Sequence, residues 1–239
     1  MSEAVPISFY ATPPHACNYL VGRNAVTVFA DPRARMNSAL YGVLIQHGYR
    51  RSGEHVYAPH CPSCNSCQSL RIPVAEFTPN RAQRRNRSHN DDLEVRVTEG
   101  ELNRDHFDLY QRYIHDRHRD GGMEEMDMTQ CRDFLLSDWS DTRFIEFRLE
   151  GQLIGVAVMD VVETGLSAVY TFFDPAHARR GIGNFAILWL IRYAKHLGLP
   201  FVYLGYWIAE SQKMAYKANY LPHQVFIQDQ WIEVTKESS

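Results

Sequence analysis

The chain has 239 residues, which is enough for one large domain or two small ones with a substantial core. Hydrophobic residues make up 45% and charged residues 22%, as is typical of soluble globular proteins, and no apolar run reaches the ~18 residues of a transmembrane helix. The net charge of -3 argues against bulk affinity for nucleic acid but permits a local basic patch. The first residues lack a signal-peptide pattern, so we expect a cytoplasmic protein without a membrane partner.

Residues 1–77 are predicted to form a small α/β unit that carries most of the cysteines. Residues 27–30 favour a strand, and residues 36–47 place apolar side chains at helical spacing. Two further strands are predicted at 49–57 and 69–74, on either side of a cysteine-containing loop.

Cys61, Cys64 and Cys67 lie within seven residues of one another. Thiols at a spacing of three can turn towards one zinc ion or iron–sulfur cluster, with Cys17 or His60 as a fourth ligand. In a cytoplasmic chain, clustered thiols favour metal binding or reactivity over disulfides. A tight loop of three reduced cysteines is the alternative.

Residues 78–100 are predicted to be a basic joint between two parts of the chain. Four arginines stand close together in a stretch without acidic residues: Arg81, Arg84, Arg85 and Arg87. Most of them fall on one helical face, where they can follow a phosphate backbone. A solvated helix face accounts for the pattern almost as well.

Residues 101–239 are predicted to form the larger domain. Its elements are a helix at 101–119, a short helix capped by Thr129 and ending near Trp139, strands at 143–149, 153–161 and 167–173, a helix at 182–197, a strand at 200–206, a helix at 211–219, and strands at 225–227 and 231–234. This order is similar to that of GNAT-type acyltransferases. We therefore expect an α/β (α+β) fold of that type, with the cysteine-containing unit as a smaller addition.

The segment 170–183, YTFFDPAHARRGIG, is predicted to run from a buried strand through a turn into a helix. Gly181 and Gly183 permit close approach to the helix start, whose free amides attract anions. Arg179 and Arg180 add positive charge, so this segment is a candidate phosphate site. The alternative is a turn in which the glycines serve backbone shape alone.

The segment 213–220, KMAYKANY, follows the last long strand. On a helix, lysines and tyrosines four residues apart are neighbours. Tyr216 is a candidate proton donor, and Lys213 is a candidate for holding a carboxylate or phosphate. A surface helix with aromatic packing is the alternative.

Three blocks, FADPRARMNSALYGVLIQHGYRRSGEHVYAPHCPSC, FFDPAHARRGIG and KMAYKANYLP, resemble the bacterial aspartate/glutamate leucyltransferases. That family is related to the arginyl-tRNA–protein transferases, and the resemblance extends from about Cys17 to Val234. It implies an aminoacyl-tRNA–protein transferase that moves leucine from leucyl-tRNA to the N-terminal amine of proteins beginning with Asp or Glu. The added leucine would mark those proteins for degradation in the N-degron pathway.

The chemistry of this reaction suggests roles for the candidate residues. Tyr216 would protonate the leaving ribose hydroxyl, and a backbone amide near Tyr170 would stabilise the oxyanion. Arg179, Arg180, Gly181 and Gly183 would hold the 3′ end of the tRNA, and the joint arginines would contact phosphates further along. The acidic acceptor residue needs a cation, for which the candidates are Lys213, Arg50 and Arg51.

No cofactor is required for transfer, because an aminoacyl ester is already activated. The related arginyl enzymes have cysteine pairs that have been linked to iron–sulfur binding. Cys17 and Cys61 match those pairs, whereas Leu20 and His60 stand at the other two positions, so Cys64 and Cys67 are the candidate substitutes for a cluster or zinc.

Three other functions remain open from the sequence. Arginine could be the donated residue, because the choice of leucine rests on resemblance alone. An acyl-CoA-dependent N-acetyltransferase is a second alternative, although Ala178 stands where CoA-binding members usually have Arg or Gln. A non-catalytic RNA-binding or redox-sensing module is the third. The oligomeric state is left open.

Overall fold

The computed structural model describes residues 7–117 and 126–235. The strands in these ranges are β1 Phe9–Ala11, β2 His15–Ala16, β3 Asn24–Ala25, β4 Thr27–Ala30, β5 Arg50–Ser52, β6 His55–Pro59, β7 Gln68–Pro73, β8 Glu94–Glu99, β9 Asp141–Leu149, β10 Gln152–Val162, β11 Gly165–Phe173, β12 Phe201–Trp207, β13 His223–Ile227 and β14 Gln230–Val234. The α-helices are α1 Ser38–Gln46, α2 Arg81–His89, α3 Arg104–Arg117, α4 Met128–Leu135, α5 Ile182–His196 and α6 Gln212–Ala215, with 3₁₀ turns at Pro175–Arg180 and Tyr216–Asn219. None of the described helices is both long and apolar enough to cross a lipid bilayer.

An eight-stranded mixed sheet forms the centre of the molecule, in the order β14-β13-β7-β12-β11-β10-β9-β8. The strand β7 pairs with β12 on one side and with β13 on the other. The predicted boundary at residue 77 therefore does not separate two sheets, because β7 precedes that boundary and lies inside the large sheet. Among the described strands, those before β7 form two separate sheets, one of four strands and one of two.

Helices cover both faces of the large sheet. On one face, α5 is apolar along most of its length and buries Ile182, Ala186 and Leu190 against the sheet. On the other face, α3 and α4 pack against β9, β10 and β11. The helix α1 contributes Tyr41 and Ile45 to a third apolar cluster, which joins the four-stranded sheet to the large one.

The predicted helices and strands from α3 onwards are confirmed, with shifts at their ends. The helix predicted at 101–119 is described to Arg117, and the last two predicted residues lie outside the described ranges. Asp127, and not Thr129, caps α4, because its carboxylate accepts from the Gln130 amide in a capping box. The predicted joint 78–100 contains α2 and the edge strand β8, which pairs with β9 in the large sheet.

Candidate functional site

The parallel strands β11 and β12 are hydrogen-bonded at one end and diverge at the other. Their pairing covers only Gly165 to Ser167 of β11, ending where Ser167 faces Tyr203. A β-bulge at Val169 in β11 and another at Leu204 in β12 follow directly. Bulges bend a strand, so the two strands separate here. We call the space between them, beyond Ser167 and Tyr203, the strand gap.

Two buried cations border the strand gap. Arg50 is 7% exposed and donates to the carbonyl oxygens of Ala168 on β11 and Tyr203 on β12. Lys217 is also 7% exposed, and its Nζ donates to the Tyr206 carbonyl at 2.5 Å. The two side chains thus bond carbonyl groups at the place where the strand ladder is interrupted.

Gly205 is needed for this arrangement. Its backbone has a φ of +78°, and a Cβ at this position would lie 3.2 Å from the Arg50 Nε. A larger residue would be strained there and would press on the guanidinium.

The structure gives Arg51 a different role from the predicted one. Its guanidinium forms two hydrogen bonds with the Asp160 carboxylate, at 2.7 and 2.6 Å, and both side chains are fully buried. Thr142 completes the network by bonding both groups. Arg51 is therefore a structural residue whose charge is already neutralised, and an acceptor cannot reach it in this arrangement.

An aromatic cluster lies beside the strand gap. The Tyr170 ring is within 6.4 Å of the rings of Tyr110, Tyr113 and Phe134, measured between centroids. Burial, together with the neighbouring Tyr113 phenol, raises the pKa of Tyr170. Tyr170 thus stays protonated at neutral pH.

Tyr216, the predicted proton donor, belongs to the same neighbourhood. It lies in the 3₁₀ turn after α6, and 40% of its surface is exposed. Burial around the phenol and the nearby Tyr113 raise the pKa of Tyr216, so it holds its proton at neutral pH. The two predicted catalytic tyrosines therefore share Tyr113 as a neighbour. Lys213, on α6, is exposed and has no carboxylate partner in the described ranges.

The predicted phosphate loop connects β11 to α5. Gly181 adopts a φ of +63°, and a Cβ there would lie 2.8 Å from the Asn86 Nδ2. That amide donates to the carbonyl oxygens of Arg180 and Gly181, so α2 fixes the loop. Arg180 forms two hydrogen bonds with the Asp92 carboxylate, at 2.8 and 2.9 Å, whereas Arg179 is exposed. The two predicted arginines therefore differ, since only Arg179 is free of an acidic partner among the described residues.

A basic groove runs between α2 and the second half of α5. Its rim carries Arg84, Arg87, Arg192 and Lys195, its floor is lined by apolar residues, and its cavity volume is about 200 Å³. None of the four rim cations forms an ion pair with a carboxylate of the described chain. Arg192 and Lys195 were missed in the sequence, where their spacing of three in α5 was the available signal.

The four predicted metal-binding cysteines line one pocket of about 780 Å³, which we call the thiol pocket: Cys17, Cys61, Cys64 and Cys67. Burial and the other three thiols raise the pKa of Cys67 to about 11. Arg23 donates to the Cys64 Sγ at 3.3 Å. Within the described residues, no three His, Cys, Asp or Glu side chains are arranged to hold a metal ion. The four thiols share this pocket, and a cluster or zinc at them stays a prediction.

Comparison with known proteins identifies the family. The model of the arginine-tRNA-protein transferase C terminus matches residues 105–227, and that of the N terminus matches residues 15–85. An aspartate/glutamate leucyltransferase of Pseudomonas fluorescens (strain Pf0-1) is 49% identical, over 97% of this chain and 99% of its own. The protein of that name from Hahella chejuensis (strain KCTC 2396) is 48% identical, over 98% of this chain and 100% of its own.

Among solved structures, FemX is similar, with a TM-score of 0.50 and 9% identity over 86% of this chain and 72% of that one. At this identity the likeness concerns the fold alone, and it confirms the predicted acyltransferase-like α/β class. The full-length matches confirm the family expected from the sequence blocks. The chain belongs to the arginine-tRNA-protein transferase family and, within it, to the aspartate/glutamate leucyltransferases.

Proposed function

We propose that the protein transfers leucine from leucyl-tRNA to the N-terminal amine of proteins that begin with Asp or Glu. The observation that carries this proposal is the strand gap, with two protonated tyrosines beside it, in a chain 49% identical to a protein of that name. The reaction belongs in the cytoplasm, where aminoacyl-tRNA is available. The product would enter the N-degron pathway, because its new first residue is leucine.

The chemistry needs no external energy source, because the leucyl ester is already activated. The neutral acceptor amine attacks the ester carbon, a C–N bond forms, and the carbonyl oxygen becomes an oxyanion. Collapse of this intermediate breaks the C–O bond to the ribose. We assign Tyr216 to donate a proton to the leaving ribose oxygen and to regain one from the attacking nitrogen, which loses a proton as it becomes the amide. An amide of β11 near Tyr170 stabilises the oxyanion. No step passes through the thiol pocket.

We assign tRNA binding to a continuous basic surface. The helix start at Gly181 to Gly183 and the exposed Arg179 lie at the end of β11 that borders the strand gap. From there, α5 extends for ~20 Å to Lys195, given the rise of an α-helix. Two α2 arginines, Arg84 and Arg87, line the basic groove together with the second half of α5. We therefore expect the 3′ end at the loop and the following phosphates along α2 and α5.

The proposal is tested by measuring amino-acid transfer from purified tRNAs. Leucyl-tRNA and arginyl-tRNA are offered in parallel to peptides beginning with Asp, Glu, Lys or Ala, and the products are identified by mass. Addition of leucine to the Asp and Glu peptides alone is the expected result. Addition of arginine would overturn the donor, and no addition from either tRNA would overturn the transferase assignment.

A further inference from the structure

Arg50 and Lys217 are buried cations without an anionic partner. Each is 7% exposed, and neither forms an ion pair with any carboxylate in residues 7–117 and 126–235. Their hydrogen bonds go to carbonyl oxygens and, for Lys217, also to the Met214 sulfur at 3.5 Å. Neutral acceptors satisfy donors but do not neutralise charge.

Such an arrangement is costly for the folded protein. A buried cation is normally paired, because removal from water disfavours its charged form. Burial and the nearby Arg50 guanidinium lower the pKa of Lys217 to about 7. Three phenols among the described residues interact with Arg50: Tyr206 on β12, Tyr57 on β6 and Tyr41 on α1. The Cys67 thiol interacts with two of these phenols, and burial raises the pKa of the thiol and of the phenols, so none of them supplies a negative charge at neutral pH. The Asp160 carboxylate interacts with Tyr41 but is already paired with Arg51.

Both cations bond carbonyl groups at the strand gap, where the proposed function places the reacting groups. Arg50 bridges the two strands at the start of the strand gap, and Lys217 follows Tyr216 directly in the chain. The two other predicted candidates have different surroundings. Arg51 is neutralised by Asp160, and Lys213 is exposed on α6.

We propose that Arg50 and Lys217 form the subsite that binds the acidic side chain of the acceptor's first residue, an aspartate or glutamate carboxylate. This inference rests on the proposed function and names the residues that give it specificity. The bound carboxylate supplies the negative charge that the fold lacks there. An amide side chain of the same shape, as in Asn or Gln, leaves both cations unpaired and is rejected.

Binding of the carboxylate is coupled to proton uptake. Above pH 7 the free protein holds Lys217 largely neutral, and a carboxylate beside it favours the charged form. Near pH 8, an Asp peptide therefore takes up a fraction of a proton that an Asn peptide does not. Both peptides carry the same N-terminal amine, so the difference between them isolates the side chain.

The experiment compares Asp and Asn pentapeptides of otherwise identical sequence, using the full chain. The ratio of kcat/KM for leucyl transfer gives the preference, and calorimetry in buffers of different ionisation heat gives the protons taken up. We expect wild type to prefer the Asp peptide at least tenfold. In Lys217→Met the preference falls at least fivefold and the extra proton uptake disappears, while the matched control Lys213→Met retains both.

Lys217→Arg separates charge from titration. It keeps a cation that cannot lose its proton, so we expect the preference for Asp to remain and the extra uptake to vanish. An unchanged preference in Lys217→Met would overturn the subsite, as would equal use of the Asp and Asn peptides by wild type. Wild type that transfers leucine to none of the peptides would instead overturn the proposed function.

Discussion

Arg50 and Arg51 are consecutive residues of one short strand, yet they lie in opposite electrostatic surroundings. Side chains alternate along a strand, so the two guanidinium groups leave β5 on opposite faces. Arg51 pairs with Asp160 in a neutral hydrogen-bonded network, whereas Arg50 reaches the strand gap, where its hydrogen bonds go to carbonyl oxygens. The comparison teaches that this fold neutralises a buried charge where it builds structure and leaves it uncompensated beside the candidate site.

The same contrast recurs at the surface. Arg180 is held by Asp92 and helps to fix the loop before α5, while the basic groove has no carboxylate partner in the described ranges. In the interior and at the surface, the cations that pair with a carboxylate stabilise the fold. We assign the cations without such a partner to binding the acceptor or the tRNA.

The largest expected effect comes from breaking the neutral network. Arg51→Met leaves the Asp160 carboxylate buried without its partner, which should lower the free energy of unfolding by about 3–5 kcal/mol. Urea denaturation measures this change. The double variant Arg51→Met/Asp160→Leu removes both charges and should recover most of the loss. A single variant as stable as wild type would show that the two arginines do not differ as described.

Replacing Tyr216 by Phe tests the site without touching either cation. Loss of the proton donor should reduce kcat for leucyl transfer by about 100-fold, the lower end of general acid catalysis. The unfolding free energy should stay within ~0.5 kcal/mol, as for a half-exposed side chain. Tyr220→Phe is the matched control, because that buried hydroxyl bonds Asn184 and has no proposed chemical role. Unchanged turnover in Tyr216→Phe would remove Tyr216 from the mechanism.

The lowered pKa of Lys217 predicts how stability depends on pH. In the unfolded chain a lysine titrates near 10.4, so between about pH 7 and 10 the unfolded state binds more protons than the folded state. Stability should therefore rise with pH in this window, by about 1 kcal/mol per pH unit, and the full penalty should be present below pH 7. Thermal or urea unfolding of wild type minus Lys217→Met isolates this slope. A difference that does not vary with pH would mean that Lys217 remains charged in the folded protein.

The smallest expected effect concerns the basic groove. Arg192→Gln should weaken tRNA binding a few-fold and reduce the slope of log K against log salt by about 1, as for one lost phosphate contact. Arg96→Gln is the control, because that exposed arginine is paired with Glu94 on β8. Equal salt slopes for Arg192→Gln and wild type would exclude the second half of α5 from the tRNA surface.

Much of the secondary structure could be predicted because its signals are local. Glu150 and Gly151 adopt positive φ angles in the turn between β9 and β10, and a glycine between two predicted strands is a local signal for such a turn. The apolar stripe of α5 and the glycine before it were equally visible. Tyr216 and the loop arginines could be selected in the same way, from short blocks of sequence.

The pairing of charges could not be predicted, because it depends on residues far apart in the chain. Arg51 and Asp160 are 109 positions apart. The sequence around Arg50 and Arg51 does not indicate which of the two arginines pairs with a carboxylate. Lys217 was inconspicuous, because a lysine one turn after Lys213 is typical of a solvated helix face. The shift to a 3₁₀ turn at Tyr216 helps to direct it inward, towards Tyr206.

The central position of β7 also bears on how the protein is made. Residues 68–73 emerge from the ribosome early, but their sheet neighbours are residues 201–207 and 223–227. Both edges of β7 can therefore be paired only after nearly the whole chain has been synthesised. Pairing between residues so far apart in sequence is slow. The segments matched by the two family models meet inside one sheet, so neither half would be expected to persist as an independent module in evolution. Separation of the two segments would leave an open strand edge prone to aggregation.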